Sequence, residues 1–453
     1  MMPVIMAVLT AGLLATIEAM TPSLPLQDSA SIDGVTWKFA GKVPVGRFVN
    51  GHLYVVGPVT VSAITPAAVN GRNGSVLNLP VDQDISGFDV RVHADRFRER
   101  LRVYPPIKLK PGDELISSIS VSSVGGGCNW LKEDERTISP VASVSILTCL
   151  AEPAATDAFR PSYCDRGRKI YYADSLRRNL LPNLKMWRPG TPDITLFAEH
   201  FRRPWLDVCF FGFDAAIDYQ PDYGREVARA VGMASLLLCS DFTPTEKESL
   251  LVNFVQYGID LWGIARAGGR GWQAHGGNGS GRKWPIIFAG LMLGDSAMAS
   301  PDKSLPNLRF GEDMQTMAGK SWTGAAVVYT GQQGVVNGKA VSKMPGWGPY
   351  ENNPPEEWGD SDKIGEDDRR CCTSLSWVGE ALCAHLLGAE KLWNHDAFFD
   401  YVDRWMTEDD SRTIAEIKQA KGWDYSAPWG RQGQCWDAFV ENMWEVYRFY
   451  RTR

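Results

Sequence analysis

The amino-acid sequence predicts a multidomain α and β chain, with an N-terminal antiparallel β-sandwich followed by an (α/α) toroid of paired helices. Three observations predict it. Short β-prone segments separated by Gly, Pro and Asp fill residues 31–152. Apolar residues at helical spacing dominate the second half. Several of those helical segments are apolar almost all round, which requires an inner layer of helices covered by an outer one. An ordinary multi-helix bundle is the alternative. At 453 residues the chain exceeds one ordinary core and accommodates both parts.

Taken in order, residues 1–19 carry an apolar run that ends at Ile17-Glu18-Ala19. This is the pattern of a signal peptide cleaved near Ala19, although no Lys or Arg precedes the run. The run is short for a membrane span, and no later stretch reads as transmembrane. The expectation is a bacterial protein that is secreted or periplasmic. In the β-sandwich domain, residues 31–152, the segments 35–39, 52–56, 59–64, 115–124 and 141–150 are rich in Val, Ile, Ser and aromatics. Asn50-Gly51 between apolar flanks predicts a hairpin. Residues 153–224 then interleave cations and aromatics, among them Lys169, Tyr171, Arg177, Arg178, Arg202 and Trp205. These read as solvated helix faces or as a wall for an anionic polymer.

Helical spacing organises the domain at 160–453. A helix over 226–239 comes first. Thr243-Pro-Thr-Glu246 then fits a capping box with proline in the first turn, and Leu250, Leu251, Phe254, Val255 and Ile259 form the apolar face behind it. Trp284-Pro285 opens a third helix, Thr373 or Ser374 a fourth, Asn394 caps a fifth, and 436–450 makes a sixth. An insertion at 301–370 separates the third from the fourth. It contains a hairpin of 325–329 with 335–341 around Asn337-Gly338, and Trp347, Tyr350 and Trp358 order it. Its expected position is over the glycine loop.

That loop lies between the second and third helices. Seven glycines between Gly268 and Gly281 exclude regular helix, and the segment presents His275, Asn278, Arg282 and Lys283. A net charge of −6 argues against a nucleic-acid partner and against an anionic membrane surface, yet leaves room for a local cationic pocket. Of 17 tryptophans, 13 fall between Trp262 and Trp444, so the second half has either an aromatic core or platforms for sugar rings. Nine cysteines are scattered without a repeated CxxC. Adjacent Cys371 and Cys372 suit neither a zinc site nor an easy mutual disulfide. The run ending in Arg282-Lys283 is no phosphate loop, because Trp284 follows the lysine. No cofactor and no metal are expected.

β-Elimination from a uronate polymer needs a neutralised sugar carboxylate, a base for the C5 proton and an acid for the departing oxygen. Arg282 and Asn278 suit the first task, His275 the second and Tyr350 the third. Lys283, Trp272, Tyr257 and Tyr329 are the expected substrate-binding residues near the loop, with Trp347, Trp358 and Arg370 from the insertion. A glycoside hydrolase built on Glu351 and Asp360 is the runner-up. A non-catalytic glycan-binding or surface-structural protein is the third reading.

The stretches Gly271-Trp-Gln-Ala-His-Gly-Gly-Asn-Gly-Ser-Gly-Arg-Lys-Trp-Pro285, Arg369-Arg-Cys-Cys-Thr-Ser374 and Trp393-Asn-His-Asp-Ala-Phe-Phe-Asp-Tyr401 look like signatures of exported bacterial proteins. With a β-rich module joined to paired helices, the chain resembles the polysaccharide lyases of (α/α)-toroid type, such as alginate and heparinase-like lyases, over about residues 200–453. The resemblance implies an acidic polysaccharide as substrate and an Asn, His, Arg and Tyr site, in agreement with the residues above. Many such lyases place the β domain after the helices; here it comes first.

Overall fold

The computed structural model describes residues 23–81, 85–92, 95–124, 139–165, 167, 169–186, 188–208, 214–341 and 348–449. The expected signal peptide and Trp347 lie outside the described residues.

Eight strands make the N-terminal part: β1 (Leu26–Ile32), β2 (Val35–Arg47), β3 (Leu53–Val56), β4 (Val59–Thr65), β5 (Ser75–Leu77), β6 (Ile107–Leu109), β7 (Glu114–Ser120) and β8 (Val141–Leu150). They form one sheet in the order β5-β7-β8-β3-β2-β4-β6, with β1 on β2. Long β2 curls it, pairing with β4 through its first half and with β3 through its last three residues. All pairs are antiparallel except β3 with β8. The Asn50-Gly51 turn joins β2 to β3 as expected, with Gly51 N–H bonded to the Phe48 carbonyl at 2.8 Å. Alternation sorts the side chains of β7 and β8. Leu115 and Leu147 close the sheet's own core around Trp37, while Ile116, Val144 and Ile146 join the helical core. The strands β1, β5 and β6 were not legible, because two are three residues long and β1 buries only Ala30.

The helical part begins with α1 (Ile194–Arg202), α2 (Gly224–Cys239), α3 (Pro244–Arg266) and α4 (Lys283–Leu293). The capping box at Thr243 and Glu246 is formed in both directions. Within the glycine loop, β9 (Gly271–Trp272) pairs in parallel with β10 (Arg309–Phe310). Between them come the short helices α5 (Ser296–Ala299) and α6 (Pro301–Ser304). The insertion continues with α7 (Gly311–Gln315), β11 (Thr316–Ala318), β12 (Val327–Tyr329), β13 (Val335–Val336), β14 (Lys339–Ala340) and α8 (Asp360–Asp368). A π-helical turn over Arg369–Thr373 leads into α9 (Ser374–Leu386), followed by α10 (Glu390–Trp393), α11 (Asp396–Thr407), α12 (Ser411–Lys421) and α13 (Ala438–Tyr447).

Two local expectations need correction. Asn394 does not cap α11; it ends α10 at φ +62°, and His395 is the residue before α11. The strand holding Tyr329 pairs with β11, not with 335–341, and Asn337-Gly338 closes the separate β13–β14 pair. Asn tolerates the left-handed region in both turns because its short polar side chain costs little there.

All sixteen residues of α2 are buried. It crosses α9 where Gly232 meets Gly379, and a methyl group on Gly232 would come within 2.9 Å of the Gly379 Cα. The starts of α2 and α9 and the approach to α4 meet at the glycine loop. Gly224 lies against the carbonyls of Gly277 and Asn278, and Gly277 lies against that of Cys372. The start of α13 is one ion pair away, through Arg229 and Asp437 at 2.8 Å. As expected, the insertion packs over the loop: Gly276 N–H bonds to the Gln332 carbonyl at 3.0 Å, and Gln315 Nε2 donates to the Gly276 carbonyl at 3.1 Å.

Backbone contact at the α2–α9 crossing leaves no room for a side chain. Gly232→Ala should therefore lower unfolding free energy by about 1–3 kcal/mol, as overpacking does. Gly41→Ala, where no atom lies within 4 Å, should stay within about 0.5 kcal/mol in the same urea titration.

Candidate functional site

Most of the residues with site-like chemistry are built into the interior. Arg282 is 2% exposed. Its Nε and Nη2 donate to Asp207 Oδ1 at 3.2 and 2.8 Å, and its Nη1 donates to the carbonyls of Asn278 and Ser280 at 2.9 and 2.8 Å. Burial works against this charge, but Asp207 outweighs it and holds the guanidinium above its ordinary pKa. Tyr257 donates to Asp207 Oδ2 at 2.5 Å, and Trp272 Nε1 donates to the Asp207 carbonyl at 3.1 Å. Arg282, Tyr257 and Trp272 thus hold the loop from inside, and none is presented to a substrate.

The same holds for the residues expected from the insertion. Tyr350 is buried and donates to Glu366 at 2.6 Å. Burial and then the Glu366 charge push its pKa well above the usual phenol value. Glu366 also accepts from Arg370 Nε at 2.6 Å, and Arg370 Nη1 reaches Asp410 at 2.5 Å. Against the cost of burial, Arg370 and Arg369 bring Glu366 down to about 2. Glu351 accepts from both Nη atoms of Arg404 at 2.9 and 3.0 Å and meets Arg369 at 3.0 Å. Asp360 is exposed in the first turn of α8, so the Glu351–Asp360 hydrolase pair is not assembled. Trp358 is buried edge-on to Tyr350, and Tyr329 is fully buried with Gln315 donating to its hydroxyl at 2.9 Å.

Lys283, also fully buried, lies between Asp302 (2.7 Å) and Asp313, with the Phe310 and Trp393 rings each 5.3 Å away. Asp302 and Asp313 line a cavity of about 390 Å³ together with His395 and Thr316. Burial raises Asp302 to about 6 despite Lys283.

His275 and Asn278 are half-buried and remain at the loop surface. Asn278 Nδ2 donates to the His275 carbonyl at 2.9 Å, which settles the amide's orientation, and it lies 3.2 Å from His275 Nδ1. Nδ1 is therefore the acceptor, and the neutral ring carries its proton on Nε2. Asn278 thus spends its amide nitrogen on His275 itself, on the backbone carbonyl and on the ring.

Two residues that pack against this part of the loop had no signal in the sequence. Tyr223, the residue before α2, brings its hydroxyl so close to Gly277 that a methyl there would sit 2.9 Å from it; Asp368 flanks Gly276 in the same way. Beside them, Cys371 and Cys372 are disulfide-bonded to each other, against expectation. The two cysteines lie in the π-helical turn over Arg369–Thr373. The two sulfurs and an Asp368 oxygen lie within 4.8 Å of one another, but bonded sulfurs lack the thiolate that a metal needs. No protein-family model, curated protein or solved structure matches the chain.

Removing Arg282 strands Asp207 in the core. Arg282→Met should cost about 3–5 kcal/mol in denaturant titration, whereas His275→Ala, at the surface, should cost under about 1 kcal/mol. Under denaturing, non-reducing conditions the peptide carrying Cys371 and Cys372 should resist alkylation, and after reduction it should take up an alkyl group at each sulfur, read by mass spectrometry.

Proposed function

We propose that this protein is a polysaccharide lyase that cleaves a uronic-acid-containing polymer by β-elimination, at the mouth around Gly276 and Gly277. The observation that carries the reading is the pairing of two partly exposed groups, a donor-oriented imidazole and a phenol, on one short piece of glycine-loop backbone. His275 Nε2–H meets the sugar carboxylate and draws charge from C5, and Asn278 holds the ring for that task. Tyr223, as the phenolate, takes the C5 proton. As the C4–O4 bond breaks and the C4=C5 double bond forms, Tyr223 returns that proton to the departing O4, so no proton is consumed.

The surrounding architecture supports the reading. Helices α2, α3 and α9 are buried along most of their length, and several helix starts face the loop, as the inner helices of an (α/α) toroid would have them. The helix starts favour an anionic substrate. A disulfide beside the mouth suits an oxidising compartment, hence secretion or the periplasm.

A second reading is favoured by the acidic cavity. A glycoside hydrolase would use Asp302, raised to about 6, as acid and Asp313 as its ionised partner.

One assay separates these. On a panel of uronate polymers and neutral glycans, the lyase gives ultraviolet absorbance from C4=C5 together with new reducing ends. The hydrolase gives ends alone, and a glycan-binding protein gives neither. His275→Ala and Tyr223→Phe should each lower turnover about 10²–10⁴-fold while melting stays close to wild type. Full turnover in both variants, or ends without absorbance that vanish in Asp302→Asn, sinks the lyase reading.

A further inference from the structure

Directly behind the mouth, two carboxyl groups face each other in the core. Glu312 of α7 and Glu380 of α9 are both 0% exposed. Glu312 Oε1 accepts the Gly281 N–H at 2.6 Å, so this side chain is bolted to the end of the glycine loop. Glu312 Oε2 and both oxygens of Glu380 meet no donor from the rest of the described protein. The two side chains nevertheless approach within hydrogen-bonding range of each other. Two ionised carboxylates cannot do this, since each only accepts and their charges repel. One shared proton resolves both problems: it gives the pair a donor and removes a buried charge.

The neighbours do not supply a counter-charge that makes the proton unnecessary. The cation that acts on Glu380 is Arg282, and its fork is committed to Asp207 and two loop carbonyls. Lys283 is held by Asp302 and Asp313, and Asp313 adds repulsion. On the next turn of α9 lies Cys383, with Cys239 of α2 beside it, and both are uncharged thiols when protonated. Behind the pair, Gly281 sits at φ +89° against the backbone of Ala228, a conformation and an approach that only glycine fits.

We propose that Glu312 and Glu380 form a proton-sharing carboxyl pair that fastens the glycine loop to the helical core and loosens it as the proton is lost, so that the mouth is gated by pH. This regulation of the site rests on the lyase reading for its functional meaning, but the proton-sharing pair is tested without any substrate. Burial raises Glu312 to about 7 and holds Glu380 well above the ordinary carboxyl range, with Glu312 as its next largest cause. The sign follows from proton counting. The unfolded chain releases these protons near the ordinary glutamate value of 4.5, and the native pair keeps them to higher pH. The stability the pair contributes is complete below that value and is lost as pH rises through the native pKa values.

Thermal and urea unfolding of the full chain across about pH 5 to 9 tests this in wild type and Glu380→Gln. The glutamine amide donates to Glu312 and cannot ionise. Each retained proton makes unfolding about tenfold more favourable per pH unit. The wild-type unfolding constant should therefore rise with pH more steeply than the variant's, by up to about tenfold per unit from about pH 5 upward until the native pair has lost its proton. Hydrogen exchange of the peptide spanning 272–284 should quicken with pH beyond the chemical rate in wild type and not in the variant. If Glu380→Gln does not fold, Glu312→Gln, which keeps a carbonyl for Gly281, takes its place with the same expectation. Parallel pH slopes for wild type and variant overturn the proton-sharing pair, and matching exchange profiles overturn the gate. A flattened slope in a protein with no lyase activity upholds the pair and sinks only the lyase reading.

Discussion

Asp207 is the constraint from which the rest of the helical face follows. One carboxylate takes the Arg282 fork and the Tyr257 hydroxyl, and the same residue's carbonyl takes the Trp272 indole. These contacts join the segment before α2, the middle of α3, the strand β9 and the end of the glycine loop. A loop with seven glycines has little side-chain packing of its own. Its order comes from Arg282 reaching inward and from backbone pressed on backbone at Gly224, Gly277 and Gly281. Because the pair is fully desolvated, losing either member leaves an unpaired buried charge, and the loop has no cheaper way to remain ordered.

The same economy recurs around α9. Three arginines, Arg369, Arg370 and Arg404, surround Glu351, Glu366 and Asp410 beneath the π-turn. Tyr350 and Tyr401 close the network with their hydroxyls. Residues that look ready for an anionic polymer serve instead to neutralise one another inside the protein. What remains for chemistry is small and lies at the loop surface: an imidazole oriented by an amide, a phenol at a helix start, and a carboxylate beside a disulfide turn. Behind this thin outer layer stand the Asp207 pair and the Glu312–Glu380 pair, one ionic and one proton-sharing, each holding an opposite end of the Asn278–Arg282 segment.

Legibility differed between the fold and the site. Six helices followed from apolar spacing and from the capping box at Thr243, since those signals are local and repeat along the chain. The hairpin at Asn50-Gly51 followed from the two residues that accept its turn geometry. The burial of the candidate residues was not legible. Glycine content marked the loop on which the proposed site stands, and His275 and Asn278 are half-buried there. Arg282, Lys283, Tyr350 and Arg370 carry the same chemistry in the sequence, and nothing local distinguishes them from exposed residues.

By itself, then, the sequence determined where six of the helices and five strands of the N-terminal sheet lie and which segment cannot be regular, because those signals depend on neighbours within a few residues. Only the tertiary structure decided which polar groups face water. Asp207 is 75 residues from Arg282, and Glu312 is 68 from Glu380 by position number. Whether a charge is desolvated and paired, or left free to meet a ligand, depends on such distant partners, and residue type alone carries no record of them.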